Sequence, residues 1–242
     1  MAEPLVLVPG MMCDARMFIH QIAAFSRQRA IHLAPTATGA TIEDIAVSIL
    51  ATAPASFALA GAGMGGIVAM EMQRRAPDRV TRLALISTNA QSETPGIAAA
   101  REEKIVKARA GRLRDVIADD MAAGFLSPYG PQDGIDHLVM EMALDLGPDV
   151  FVNQSRAMQR RPDQQKTLRM LRIPALVLCG VHDEKTPVRR HEFMATLIPY
   201  ATLEIVPDAG HIPALEQPGE INRHLGNWLN QPLMLRQDQP DF

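Results

Sequence analysis

The stretch Phe57-Ala58-Leu59-Ala60-Gly61-Ala62-Gly63-Met64-Gly65-Gly66-Ile67 constrains this chain more than any other. A short apolar run meets a dense set of small residues, and Ile67-Val68-Ala69-Met70-Glu71-Met72 then takes up a helical spacing that ends before Pro77. Strand, sharp turn and helix is the implied order. Such a turn holds a strained backbone at its apex and needs small neighbours so that the helix can approach the strand, which Gly61, Gly65 and Gly66 supply. Glycine at position 63 accepts that backbone without a Cβ penalty, so the turn keeps its shape while its apex carries no hydroxyl.

The same alternation recurs along the chain. Leu5-Val6-Leu7-Val8 before Pro9-Gly10, and Ala30-Ile31-His32-Leu33-Ala34 before Pro35, read as strands. Thr41 reads as the N-cap of a following helix, with Asp44 as its capping acid. Leu83 to Ser87, Ala175 to Leu178 and Thr202 to Val206 are further apolar runs of strand length. Strands alternating with helices predict an α/β fold, a mostly parallel central sheet with helices on both faces. Between residues 92 and 166 the strand signal disappears, and helical spacing takes over at Ala98 to Ala110, Leu113 to Ala123 and Ile135 to Leu146. The expected organisation is a core of residues 1–91 and 167–242 with an inserted helical cap at 92–166, placed over a ligand crevice at the sheet edge. The tail from Gln231 to Phe242 is expected to be docked or frayed.

A chain of 242 residues with 47% hydrophobic content can bury one sizeable core. Its net charge of −3, with basic residues in short groups such as Arg74-Arg75, Arg160-Arg161 and Arg189-Arg190, gives no electrostatic case for nucleic acid. There is no apolar run of about 18 residues and no signal-peptide pattern at the N-terminus, so no membrane association and a cytoplasmic location are expected. Cys13 and Cys179 make neither a disulfide framework nor a zinc site. Nothing in the sequence specifies an oligomeric state.

Four segments, taken in order, carry a resemblance to a known family. Val8-Pro9-Gly10-Met11-Met12 follows the first strand, Gly61-Ala62-Gly63-Met64-Gly65 forms the sharp turn, Leu178-Cys179-Gly180-Val181-His182-Asp183 follows a later strand, and Asp208-Ala209-Gly210-His211 follows the last. Over nearly its whole length the chain resembles the α/β-hydrolase family, most closely its small microbial esterase and lactonase branch with a helical cap. The resemblance implies an α/β-hydrolase fold in which these segments are the oxyanion loop, the nucleophile elbow, the acid loop and the histidine loop. Gly63 stands where the family carries its nucleophile serine, and Pro9 replaces the more usual histidine.

By the same resemblance His211 is the general base, oriented by Asp183, and the backbone amides of Met11 and Met64 are the oxyanion donors. Asp208 is expected to be a turn residue beside the histidine. Cys13 is a weak rival nucleophile, because it lies off the turn. Met11, Met12, Met17 and Met64 are expected to line a pliable acyl pocket, with Met12 touching substrate. The arginines of the cap, among them Arg101 and Arg156, are expected mainly on solvated faces. The implied activity is hydrolysis of a small-molecule ester, lactone or related acyl substrate, without cofactor or metal, in a form whose serine has been replaced naturally or by engineering. Two other readings stay open. One is a natural serine-independent enzyme, a water-activating hydrolase, lyase or cofactor-independent dioxygenase using His211 and Asp183. The other is a non-catalytic ligand-binding relative of the hydrolases.

Overall fold

The computed structural model describes residues 2–130 and 134–233, so the predicted tail beyond residue 233 lies outside the described residues. Six strands, β1 (Leu5–Val8), β2 (Ile31–Leu33), β3 (Phe57–Ala62), β4 (Val80–Ile86), β5 (Ala175–Gly180) and β6 (Ala201–Val206), form one sheet in the order β2-β1-β3-β4-β5-β6. Every neighbouring pair is parallel. The helices, in chain order, are α1 (Ile19–Phe25), α2 (Ile42–Thr52), α3 (Met64–Arg75), α4 (Pro95–Arg109), α5 (Leu113–Ala122), α6 (Ile135–Gln159), α7 (Gln165–Arg169), α8 (Val188–Leu197), α9 (Pro213–Glu216) and α10 (Pro218–Leu229).

The two faces of the sheet follow from side-chain alternation along each strand. Val6, Val8, Leu59 and Leu85 point to one face, where they are buried with Ile42, Ile45 and Ile49 of α2 and with Met194 of α8. Leu5, Leu7, Ala58 and Ala60 point to the other, against Phe18, Phe25 and Trp228. Each fully buried Val, Leu, Ile, Met or Phe among these contributes about 1.5–3 kcal/mol. As expected, the Thr41 hydroxyl caps α2, accepting from the Asp44 amide at 3.1 Å.

The helices between β4 and β5 pack around a cluster of their own that includes Ile105, Leu113, Val116 and Phe151, and Met12 from the loop after β1 joins it. α6 breaks where its predicted pattern ends: Gly147 adopts φ +81° and Pro148 follows, so the backbone turns before the helix resumes.

Register fixes where the loops emerge. Val8 lies beside Gly61, Gly61 beside Leu85, Ile86 beside Leu178 and Gly180 beside Val206. All of these strands therefore end near one edge, and the segments that follow them gather there. α3 is drawn tightly into this edge, since a Cβ on Gly65 would fall inside the carbonyl oxygens of Val8 and Pro9. Gly65→Ala is expected to lower the unfolding free energy by about 3 kcal/mol, because the backbone it meets cannot rotate away. Chemical denaturation reads this directly, and a midpoint equal to that of the parent rejects the close approach as a packing constraint.

Candidate active site

β3 ends at Ala62 and α3 begins at Met64, so the whole reversal falls on Gly63. Its backbone stands at φ +54° and ψ −121°, a conformation costly for any residue with a side chain. The turn is pinned on both sides: the Gly63 amide donates to Ile86 O at 2.9 Å, and its carbonyl accepts from Thr88 Oγ1 at 2.7 Å. Unlike its glycine neighbours, position 63 has room for a side chain. A Cβ built there would sit 3.7 Å from His211 Nε2 and 3.6 Å from Gly10 Cα, in ordinary van der Waals contact.

The other ring nitrogen of His211 faces a carboxylate. Nδ1 lies 3.0 Å from both Oδ1 and Oδ2 of Asp183. Asp183 is buried, and it also accepts from the Lys185 amide at 3.0 Å, the Thr186 amide at 2.8 Å and the Thr186 hydroxyl at 2.7 Å. Burial alone would push its carboxyl up. His211 and the Thr186 donors outweigh that and hold it at about 2. Asp183 is thus ionised at neutral pH, and it favours the tautomer of His211 that carries a proton on Nδ1 and leaves Nε2 free to accept one.

The structure brings Gly63, Asp183 and His211 together, and the two predicted amides stand nearby. Met64 opens α3, so its N–H is one of the first-turn donors that have no intrahelical acceptor. The Met11 amide has no acceptor among the described residues. The next amide, that of Met12, is already taken by Gln154 Oε1 at 2.8 Å. Asp208 is a turn residue with φ +53°. Cys13 is buried, and burial followed by the nearby Asp14 pushes its thiol up to about 12, which removes it as a rival nucleophile.

Two buried groups around the site escaped the sequence reading. Glu216, 1% exposed, accepts from the amides of Gly210 at 2.8 Å, Ile212 at 3.0 Å and Ser127 at 2.7 Å. It brackets His211 from both sides and ties its loop to the segment after α5. The His211 amide adds to this tie by donating to Phe125 O at 2.8 Å, while the two rings meet at 5.2 Å. Burial pushes the Glu216 carboxyl up against the pull of those three donors. A lone acid in a short helix gave no signal of this role.

The second group is His191, fully buried, whose Nε2 accepts from the Thr88 amide at 3.0 Å and so steadies the residue that holds the Gly63 carbonyl. Burial lowers its pKa from 6.5 to about 4. The unfolded chain therefore takes up this proton near pH 6.5 while the folded chain refuses it until about pH 4. His191's contribution is complete above pH 6.5 and is lost as pH falls towards 4, a change of about 3 kcal/mol. Denaturation midpoints followed across that window check this. His191→Gln, which can still accept from Thr88, should flatten the profile, and an unaltered slope would assign the acid sensitivity to other groups.

Gly63, Met11, Met12, Met17, Met64 and His211 line one cavity of about 510 Å³. The methionine lining matches the sequence expectation. Arg101, expected on a solvated face, lines this cavity instead and is paired with Glu93. A wider cleft of about 1200 Å³ opens on the far side of the acid loop, but neither Gly63 nor His211 lines it. Its lining includes His182, whose ring meets that of Tyr129 in a tilted contact at 5.0 Å. Among the described residues no group of three or more His, Cys, Asp or Glu side chains stands close enough to hold a metal ion, and no helix is long and apolar enough to cross a membrane.

Parallel strands that deliver a strained turn, then an acid loop, then a histidine loop to one edge make the architecture of the α/β hydrolases. A sequence model of the alpha/beta hydrolase family matches residues 5–224, and the chain belongs to that family of enzymes. It is 29% identical over 183 residues to a Bacillus subtilis (strain 168) protein provisionally named 2-succinyl-6-hydroxy-2,4-cyclohexadiene-1-carboxylate synthase; the match covers 71% of this chain and 65% of that protein. It is 27% identical over 207 residues to the pimeloyl-[acyl-carrier protein] methyl ester esterase of Aromatoleum aromaticum, covering 77% of this chain and 79% of the relative. Among solved structures, a thermophilic esterase from Thermogutta terrifontis with malate bound superposes with a TM-score of 0.86 at 26% identity, over 94% of this chain and 89% of that one.

Proposed function

We propose that the chain is an acyl hydrolase for a small ester or lactone in which the nucleophile position, Gly63, has been vacated while the rest of the machinery is kept. In this reading residues 92–166 form a cap over a core of residues 1–91 and 167–242. One observation carries the proposal: the Gly63 backbone already has the strained apex conformation, and a Cβ there would fit without clash 3.7 Å from His211 Nε2, with Asp183 on the far nitrogen. A glycine selected only for tight packing would have no such room. The esterase relatives support the same substrate class.

With a hydroxyl on that Cβ, the chemistry runs in two halves. The oxygen attacks the acyl carbon as its proton passes to His211 Nε2, and Asp183 stabilises the imidazolium. Negative charge on the acyl oxygen is met by the Met11 and Met64 amides, each worth roughly 3–4 kcal/mol in comparable sites. His211 then gives its proton to the departing alkoxide, and water repeats the sequence on the acyl intermediate. Without the hydroxyl the site binds the acyl group but forms no covalent intermediate.

The same gap favours a second reading. A water molecule in the space beside Nε2 could lose its proton to His211 and attack directly, giving hydrolysis with Gly63 unchanged. The two readings separate on whether Gly63→Ser creates turnover or merely alters it.

A further inference from the structure

We infer that the active-site cavity carries a second, anionic subsite built from Arg101, Arg161 and Arg190, which takes a carboxylate at the far end of the acyl group. This rests on the acyl-hydrolase reading and names its substrate class: the monoester or lactone of a molecule that bears a second, free carboxylate.

The three arginines come from separate places, α4, the segment after α6, and α8, and all three line the cavity that holds Gly63 and His211. Arg101 and Arg161 share one carboxylate. Glu93, whose side chain is 1% exposed, receives Arg101 Nε at 3.1 Å and Nη2 at 2.5 Å, and Arg161 Nη1 at 3.3 Å. The remaining protein partners are neutral: Arg161 Nε donates to Gln91 O at 2.8 Å, and Arg190 Nη1 donates to Gln91 Oε1. Among the described residues Arg161 Nη2 and Arg190 Nη2 reach no acceptor. The three guanidinium groups thus have one carboxylate among their hydrogen-bond partners, in a place where the Arg161 side chain is only 9% exposed and Arg190 is half-buried. Burial lowers its affinity for its proton, Glu93 counters this, and Arg101 and Arg190 reinforce it.

Partly buried positive charge without a full set of acceptors is costly and is relieved by an anion. The wider cavity agrees, since six basic and three acidic side chains line it in a chain whose overall charge is −3. The guanidinium edges offer the paired, planar donors that a carboxylate accepts best. The subsite also has an address relative to the reaction, because Arg101 Nη1 lies 3.6 Å from the sulfur of Met11, beside the proposed oxyanion donor.

The test is calorimetric binding to the unaltered chain, which should hold esters without consuming them. Monomethyl succinate, glutarate and adipate are compared with their dimethyl counterparts and with acetate. The expected result is that one monoester binds at least about tenfold more tightly than its dimethyl ester, the scale of one hydrogen-bonded charge. Arg190→Gln and Arg161→Gln should erase that preference, and Arg190, on the outer helix, reads it even if the buried Arg161 variant fails to fold. Arg156→Gln, which breaks a pair with Glu102 away from the cavity, should leave it intact. Equal binding of monoester and diester, or acetate binding as tightly as any monoester, overturns the inference. If the preference holds but Gly63→Ser hydrolyses no ester, the acyl-hydrolase reading fails and the anionic subsite stands. If Gly63→Ser hydrolyses neutral and monoanionic esters equally well, the subsite fails and the reading stands.

Discussion

Gly63→Ser should raise turnover of chromogenic esters by on the order of 10³-fold or more and make the chain react with a fluorophosphonate. The expectation follows from what does not have to move. The backbone at position 63 is already set, Thr88 and Ile86 hold it in place, and the incoming Cβ meets nothing closer than 3.6 Å. Placing a hydroxyl there adds the one atom that the reaction lacks, next to an acceptor nitrogen fixed by Asp183. The same substitution should cost stability, about 1–3 kcal/mol, because a residue with a side chain must now occupy φ +54°. A gain in rate paired with a loss in denaturation midpoint is the combined signature. Labelling and turnover both absent in a folded variant would discard the vacated-nucleophile reading, whereas high turnover by the unaltered chain would support direct activation of water.

Asp183→Asn, made in the Gly63→Ser background, should lower kcat/KM by about 10⁴-fold with little change in fold. The amide oxygen can still accept from Thr186 and Lys185, so the loop survives. Its NH₂ group, however, would face Nδ1 of His211 and favour the tautomer that puts the proton on Nε2, where the attacking hydroxyl needs an acceptor. The contribution of Asp183 to stability should be lost only at low pH. With the folded carboxyl at about 2 and an ordinary value of 3.8, its stabilising pairing is complete above 3.8 and is lost as pH falls through 2. Activity that survives Asp183→Asn would shift the orienting role to another carboxylate. Glu216 is near His211, but its oxygens are committed to three backbone amides.

Much of this architecture could be read from the chain because it is encoded locally. β1 is buried on both faces and appears as the uninterrupted run Leu5-Val6-Leu7-Val8. β3 runs two residues beyond the apolar run Phe57-Ala58-Leu59-Ala60, since Gly61 and Ala62 belong to the sheet and the reversal is concentrated on Gly63. α3 starts three residues before its apolar periodicity does, because Met64-Gly65-Gly66 are chosen for close approach to β1 and Thr88 rather than for a hydrophobic stripe. The pairing of His211 with Asp183 is what the family resemblance implies, because that resemblance rests on the order of loops after strands and needs no knowledge of distances. Contacts between distant segments left no such trace. Glu216 meets Ser127 across 89 positions and Arg161 meets Glu93 across 68, so neither the clamp on the histidine loop nor the shared carboxylate of the arginines has a local sequence signal.

The tie through Glu216 has a consequence for anyone building chimaeras from this scaffold. Residues 125–127 lie between β4 and β5, far in sequence from the histidine loop, yet that loop hangs from them, through the Phe125 carbonyl and through the carboxylate shared with Ser127. An exchange of the segment between β4 and β5 that cuts before residue 125 and rejoins after it would remove the anchors of the loop that carries His211. The practical splice sites therefore leave 125–127 with the recipient, so that the histidine loop keeps its anchors.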